Sequence, residues 1–159
     1  LRLEEMGKAC AASPFPHSTV ASGLALIDAD ADLAAAIAEG QAVVIPALTA
    51  NVEESGSGDA VTLTGEAVSV PWAALATHFL VPLDSDDRMA VVEAGASGVS
   101  SERLPAAGGD PLFVVSFDKS PGRVISSPGL RTNVQALGAT AAAIVMLGLC
   151  QRTLSSIDK

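Results

Sequence analysis

The stretch Thr77-His78-Phe79-Leu80-Val81-Pro82-Leu83, then Asp84-Ser85-Asp86-Asp87, then Met89-Ala90-Val91-Val92-Glu93, decides the fold class. Two short apolar runs flank a polar insert rich in aspartate. Each run is too short for an ordinary helix, and the insert is turn chemistry, so the stretch reads as two strands joined by a tight acidic turn. The same texture extends in both directions. Upstream, Ala42 to Leu48 is a short Val- and Ile-rich strand. Glu53 to Asp59, with Gly56, Ser57 and Gly58, reads as a turn cluster. Ala60 to Leu63 and Ala67 to Val70 read as short strands around a Thr64-Gly65 turn. Downstream, Gly95-Ala96-Ser97-Gly98 is a turn, Ser100 to Leu104 a strand, and Ala107 to Asp110 a loop. Leu112 to Phe117 is a clear strand, and Pro121-Gly122 turns the chain into Arg123 to Ile125. Short strands with turn signals every ~8–12 residues predict an antiparallel β-sandwich or barrel.

Outside this block the periodicity becomes helical. Leu1 to Ala12 places Leu3, Met6 and Cys10 on one face, with Glu4 four residues before Lys8. Pro14 and Pro16 end that helix. Ser18 or Thr19 can cap a second helix carrying Val20, Leu24 and Ile27. Leu33 to Ala38 is a short third helix closed by Gly40. Ser126 to Gly129 is a linker, and Arg131 to about Ser156 is one long helix. The predicted class is therefore α+β: N-terminal helices over 1–40, a central antiparallel β-domain over 41–126, and a long C-terminal helix within 127–159.

Composition narrows the function classes. The chain has 159 residues, 49% of them hydrophobic, which is enough for one buried core. A formal net charge of −9 argues against nucleic acid as the main partner, because phosphate binding needs clustered Lys and Arg. Cys10 and Cys150 lack metal-ligand spacing and read as reduced, buried thiols of a cytoplasmic protein. No basic segment leads into an apolar core, so no signal peptide is expected; Leu1 in place of Met suggests that the chain begins inside a longer protein. Val134 to Cys150 falls short of the ~20 residues of a membrane span and reads as a buried bundle helix rather than a tether.

Candidate catalytic groups are sparse. His17 and His78 are isolated, with no Ser-Asp partners that would make a nucleophilic triad. Asp84, Asp86 and Asp87 lack calcium-loop spacing and read as a solvated turn. Gly56-Ser57-Gly58-Asp59 is not a phosphate loop, since no Lys-Ser/Thr follows. Arg131 and Arg152 are the cations nearest the long helix, and read as solvated helix-end charges or as partners for a phosphate or a second subunit.

Several segments, in order, resemble the acyl-CoA dehydrogenase family. Glu4-Glu5-Met6-Gly7-Lys8-Ala9-Cys10-Ala11-Ala12-Ser13-Pro14 is similar to that family's helix end, EELG followed by small residues and Pro. Leu33 to Gly40 followed by Gln41 to Thr49 is similar to the segment in which its third helix leads into the first strand. Thr64-Gly65-Glu66-Ala67-Val68-Ser69-Val70-Pro71, Phe79-Leu80-Val81, Ala90-Val91-Val92-Glu93, Gly98-Val99 and Leu112 to Asp118 resemble its strands, and Leu147 to Arg152 resembles the opening of its C-terminal bundle. The resemblance is collinear over essentially the whole chain, and its order and spacing carry it rather than any one motif.

The resemblance implies an oxidoreductase that removes hydrogens from the α and β carbons of an acyl-CoA thioester, with FAD as hydride acceptor. It implies flavin contacts from Leu48 and Thr49 and from Ser69 and Val70. Here Ala50-Asn51 stand where the family has Glu-Pro, Ser69 stands at its aromatic position and Pro71 at its Thr position. No residue matches the family's catalytic glutamate, so this polypeptide alone is expected to be inactive. The resemblance further implies homo- or hetero-oligomers with like subunits and electron-transfer flavoprotein as redox partner, with no nucleic acid and no membrane. The alternative is a non-catalytic subunit or pseudoenzyme that contributes structure to a heteromer.

Overall fold

The computed structural model describes residues 2–106 and 110–157. The expected loop at Ala107 to Asp110 lies, apart from Asp110, outside them. Helix α1 spans Arg2–Ala9, with Glu4 and Glu5 in its first turn and Lys8 in its last, the charge order that suits the helix dipole. Cys10, at φ 51°, swings the chain out of the helix before the prolines.

The second helix departs from expectation. Pro16–Gly23 is wound as a π-helix, and the extra residue in each turn rotates the inward stripe. Ser18, Ala21, Ser22 and Leu26 are buried, whereas Leu24 and Ile27 are exposed. Helix α2 spans Ala31–Ala38; the Asp30 carboxylate caps it, accepting from the Leu33 amide at 3.2 Å.

Seven strands follow: β1 Val44–Pro46, β2 Ala50–Ser57, β3 Ala60–Pro71, β4 His78–Pro82, β5 Arg88–Glu93, β6 Val99–Leu104 and β7 Leu112–Ser126. They form one open sheet in the order β1-β4-β5-β7-β3-β2, with β6 also on β7. Pairing is antiparallel except for β1 and β4, which run parallel, so the sheet is mixed rather than purely antiparallel.

Three expected turns are strand. Glu53 to Ser57 pairs with Thr64 to Ala60, leaving only Gly58-Asp59 as the hairpin turn. Thr64-Gly65 lies inside β3, where the register against β7 shifts; a Cβ at Gly65 would collide with the Asn51 carbonyl, so the close strand approach requires glycine. Pro121-Gly122 lies inside β7, between the residues paired with β6 (to Phe117) and those paired with β5 (from Arg123). A residue without an N–H is tolerated there because the flanking partner strand changes at that point.

Two cores explain the unbroken apolar runs. Ile45, Phe79, Val81, Ala90 and Val92 face a core completed by Leu63, Ala67, Val70, Phe113, Val115 and Phe117. The alternate residues Val44, Leu80, Met89 and Val91 face a second core formed with Leu26, Ile37, Leu130 and Val134 from the helices. A strand buried on both faces reads as continuously hydrophobic, without alternation. Phe79 and Phe117 meet edge to face across the first core, with ring centroids 6.3 Å apart.

Helix α3 spans Leu130–Ile157. Its start is held by the β4–β5 turn. The Asp87 carboxylate accepts from the Gly129 amide at 2.7 Å, and the Asp86 carboxylate accepts from the Thr132 hydroxyl at 2.9 Å. The Asp86 carbonyl also accepts from the first-turn Arg131 amide at 2.9 Å, so the acidic turn, though exposed, anchors and caps the start of the helix. Leu130, Val134, Ala141 and Gly148 form a buried stripe, while Met146, Leu147, Leu149, Leu154 and Ile157 are exposed. Burial therefore covers one face of this helix instead of the whole of it, and by length and composition the helix could cross a membrane. Cys10 and Cys150 are both exposed, contrary to the expectation of buried thiols, because Cys10 lies in the turn after α1 and Cys150 lies off the buried stripe of α3.

Candidate cofactor site at the end of β1

The chain leaves β1 at Ala47, whose amide donates to the Leu80 carbonyl at 2.9 Å, and re-enters the sheet at Ala50, whose amide donates to Ala47 at 3.0 Å. Leu48 and Thr49 form the tight turn between these anchors. Among the described residues their two amides have no acceptor, so the turn presents adjacent free donors. The Leu48 side chain packs against the helical-side core, and Thr49 is exposed.

The neighbouring end of β3 is irregular. Ala67 pairs with Val115 and Val70 with Phe113, so Val68 and Ser69 together oppose the single residue Val114. This bulge sets Ser69 at φ 61°, an uncommon backbone state for a residue with a Cβ, and leaves Val68 and Ser69 exposed. The Thr49 hydroxyl donates to the Val68 carbonyl, tying the turn after β1 to the bulge. The segments Leu48-Thr49 and Ser69-Val70 are therefore neighbours in space, although about 20 residues apart in the chain.

The four predicted residues differ in what they present. Thr49 and Ser69 are exposed; the Ser69 hydroxyl makes no bond among the described residues. Val70 is 1% exposed, with its side chain in the sheet core, so only its backbone can meet a ligand. Pro71 has no N–H to give. Among the described residues, the Leu48 and Thr49 amides and the Ser69 hydroxyl are the unpaired donors at this corner. Val68 was missed by sequence reading. Its role is a carbonyl exposed by the bulge, and a bulge of this kind leaves no residue-type signature.

Trp72 sits just past this strand at φ 57°, its amide donating to the Pro111 carbonyl at 2.9 Å, and packs against the core. His17 Nε2 lies 3.7 Å from Asp110 Oδ2 beside that junction. Burial lowers the imidazole pKa, against the opposing pull of the Asp110 carboxylate. Neither histidine is isolated, since His78 Nδ1 lies 2.9 Å from the Thr77 hydroxyl. The exposed Arg152 guanidinium uses one of its donors on the Lys8 carbonyl, at 2.7 Å, at the C-terminal end of α1. Among the described residues there is no group of three or more metal-ligating side chains.

No protein-family model and no curated protein matches the chain. Solved structures do. The ChsE4-ChsE5 complex from Mycobacterium tuberculosis superposes with a TM-score of 0.85 at 23% identity, over 97% of this chain and 46% of that one. A variant of the Tcur3481-Tcur3483 steroid ACAD gives 0.83 at 25% identity, over 96% of this chain and 46% of that one. A glutaryl-CoA dehydrogenase from Mycobacterium smegmatis in complex with FADH2 gives 0.71 at 14% identity, over 86% and 43%. The chain thus spans about half the length of the structures it matches. Its helices, its open seven-stranded sheet and the long helix after it are the fold of acyl-CoA dehydrogenases, over roughly half of such a chain.

Proposed function

We propose that this chain supplies one wall of a flavin site in an acyl-CoA dehydrogenase-like oxidoreductase. The observation that carries the reading is the Thr49–Val68 bond, which joins the turn after β1, with its unpaired Leu48 and Thr49 amides, to the β3 bulge that carries Ser69. These groups would hold the polar edge of FAD, and the buried Val70 and Phe113 behind them keep the wall rigid. A bound flavin would accept the hydride from the β carbon of an acyl-CoA thioester. The chain's part in that reaction is to bind and orient. None of its residues matches the catalytic glutamate by motif, so the chain by itself is expected not to turn over acyl-CoA. We place it in the cytoplasm, in a homo- or hetero-oligomer with like subunits and with electron-transfer flavoprotein as electron acceptor.

A second reading is a non-catalytic subunit. Pro71, which cannot donate, and Ser69 in place of an aromatic residue favour it, as does the similarity to ChsE4-ChsE5 and Tcur3481-Tcur3483, each a pair of components. The visible absorption spectrum of the purified protein, before and after loading with FAD and removal of the excess, separates the two. A retained flavin spectrum supports the first reading. A protein that stays colourless after loading overturns it and favours the second.

A further inference from the structure

We draw no further inference here: the strongest candidate, the exposed apolar face of α3 formed by Met146, Leu147, Leu149, Leu154 and Ile157, carries nothing because nothing in the structure shows what covers it.

Discussion

Gly7 of α1 and Gly148 of α3 meet backbone to backbone: a Cβ added at Gly7 would lie 3.0 Å from the Gly148 Cα, and one added at Gly148 would lie 2.9 Å from the Lys8 amide nitrogen. The same additions would run into the Val145 and Glu4 carbonyl oxygens, so neither helix can carry a side chain at the crossing. A polar contact fastens it on one side, where Arg152 reaches the Lys8 carbonyl; within α1, Lys8 pairs with Glu4 at 3.0 Å. That lysine, first of all, holds the Glu4 carboxyl below its usual pKa.

Gly148→Ala should therefore separate α1 from α3 and lower stability by about 1–3 kcal/mol, the usual scale of overpacking. Gly138→Ala is the control on the same helix. Its Cβ would make ordinary contact with Ala21 at 3.6 Å, and replacing a mid-helix glycine should stabilise by about 0.5–1 kcal/mol. Urea unfolding of both variants checks the pair; equal effects would show that the crossing is looser than described.

Thr49→Val removes the hydroxyl that ties the turn to the Val68 carbonyl while keeping the side-chain shape. Stability should fall by only about 0.5–1.5 kcal/mol. Flavin retention, read as the ratio of visible to protein absorbance after gel filtration, should fall much further. Unchanged retention would remove this contact from the proposed site.

Ser69→Gly relieves the positive φ at the bulge and should stabilise the fold by up to about 1–2 kcal/mol. It also deletes the hydroxyl proposed to face the cofactor, so thermal stability and flavin affinity should move in opposite directions. If both rise together, the hydroxyl has no binding role.

Phe79→Ala opens a cavity where two aromatic rings meet between the strands and should cost about 3–5 kcal/mol. Denaturant midpoints would show this directly, and a small effect would mean that the core refills.

Acid should weaken the fold through His17. Burial lowers its folded-state pKa below the ordinary value near 6.5, so the unfolded chain takes up protons first. The stabilisation is full above that value and is lost as pH falls through the lower folded-state pKa. Asp110→Asn removes the carboxylate that opposes the shift and should lower the His17 pKa further, as read from its ring protons by NMR titration. A rise in that pKa would contradict the assignment.

Much of this was legible from residue types. The runs Phe79-Leu80-Val81 and Ala90-Val91-Val92 announced strands, Gly40 marked the end of α2, and an unbroken helical pattern marked α3, whereas the Asp30 cap of α2 went unread. The three misread turns share one cause. Glu53 to Ser57, Thr64-Gly65 and Pro121-Gly122 carry turn-forming residues, yet cross-strand pairing holds them extended, because local propensity is worth less than a ladder of hydrogen bonds with a packed face. The π winding of Pro16–Gly23 escaped notice for a related reason: the stripe it buries is set by the sheet and α3 beneath it, not by its own periodicity.

The sequence by itself determined the order of helices, strands and long helix, and the residue types at the ends of β1 and β3, since these rest on local chemistry and neighbouring side chains. Only the tertiary structure decided that Thr49 reaches Val68, that Val70 turns inward while Ser69 faces out, and that Gly7 lies against Gly148. Each of those depends on strand register or on helix crossing, and both are settled by contacts between residues far apart in the chain.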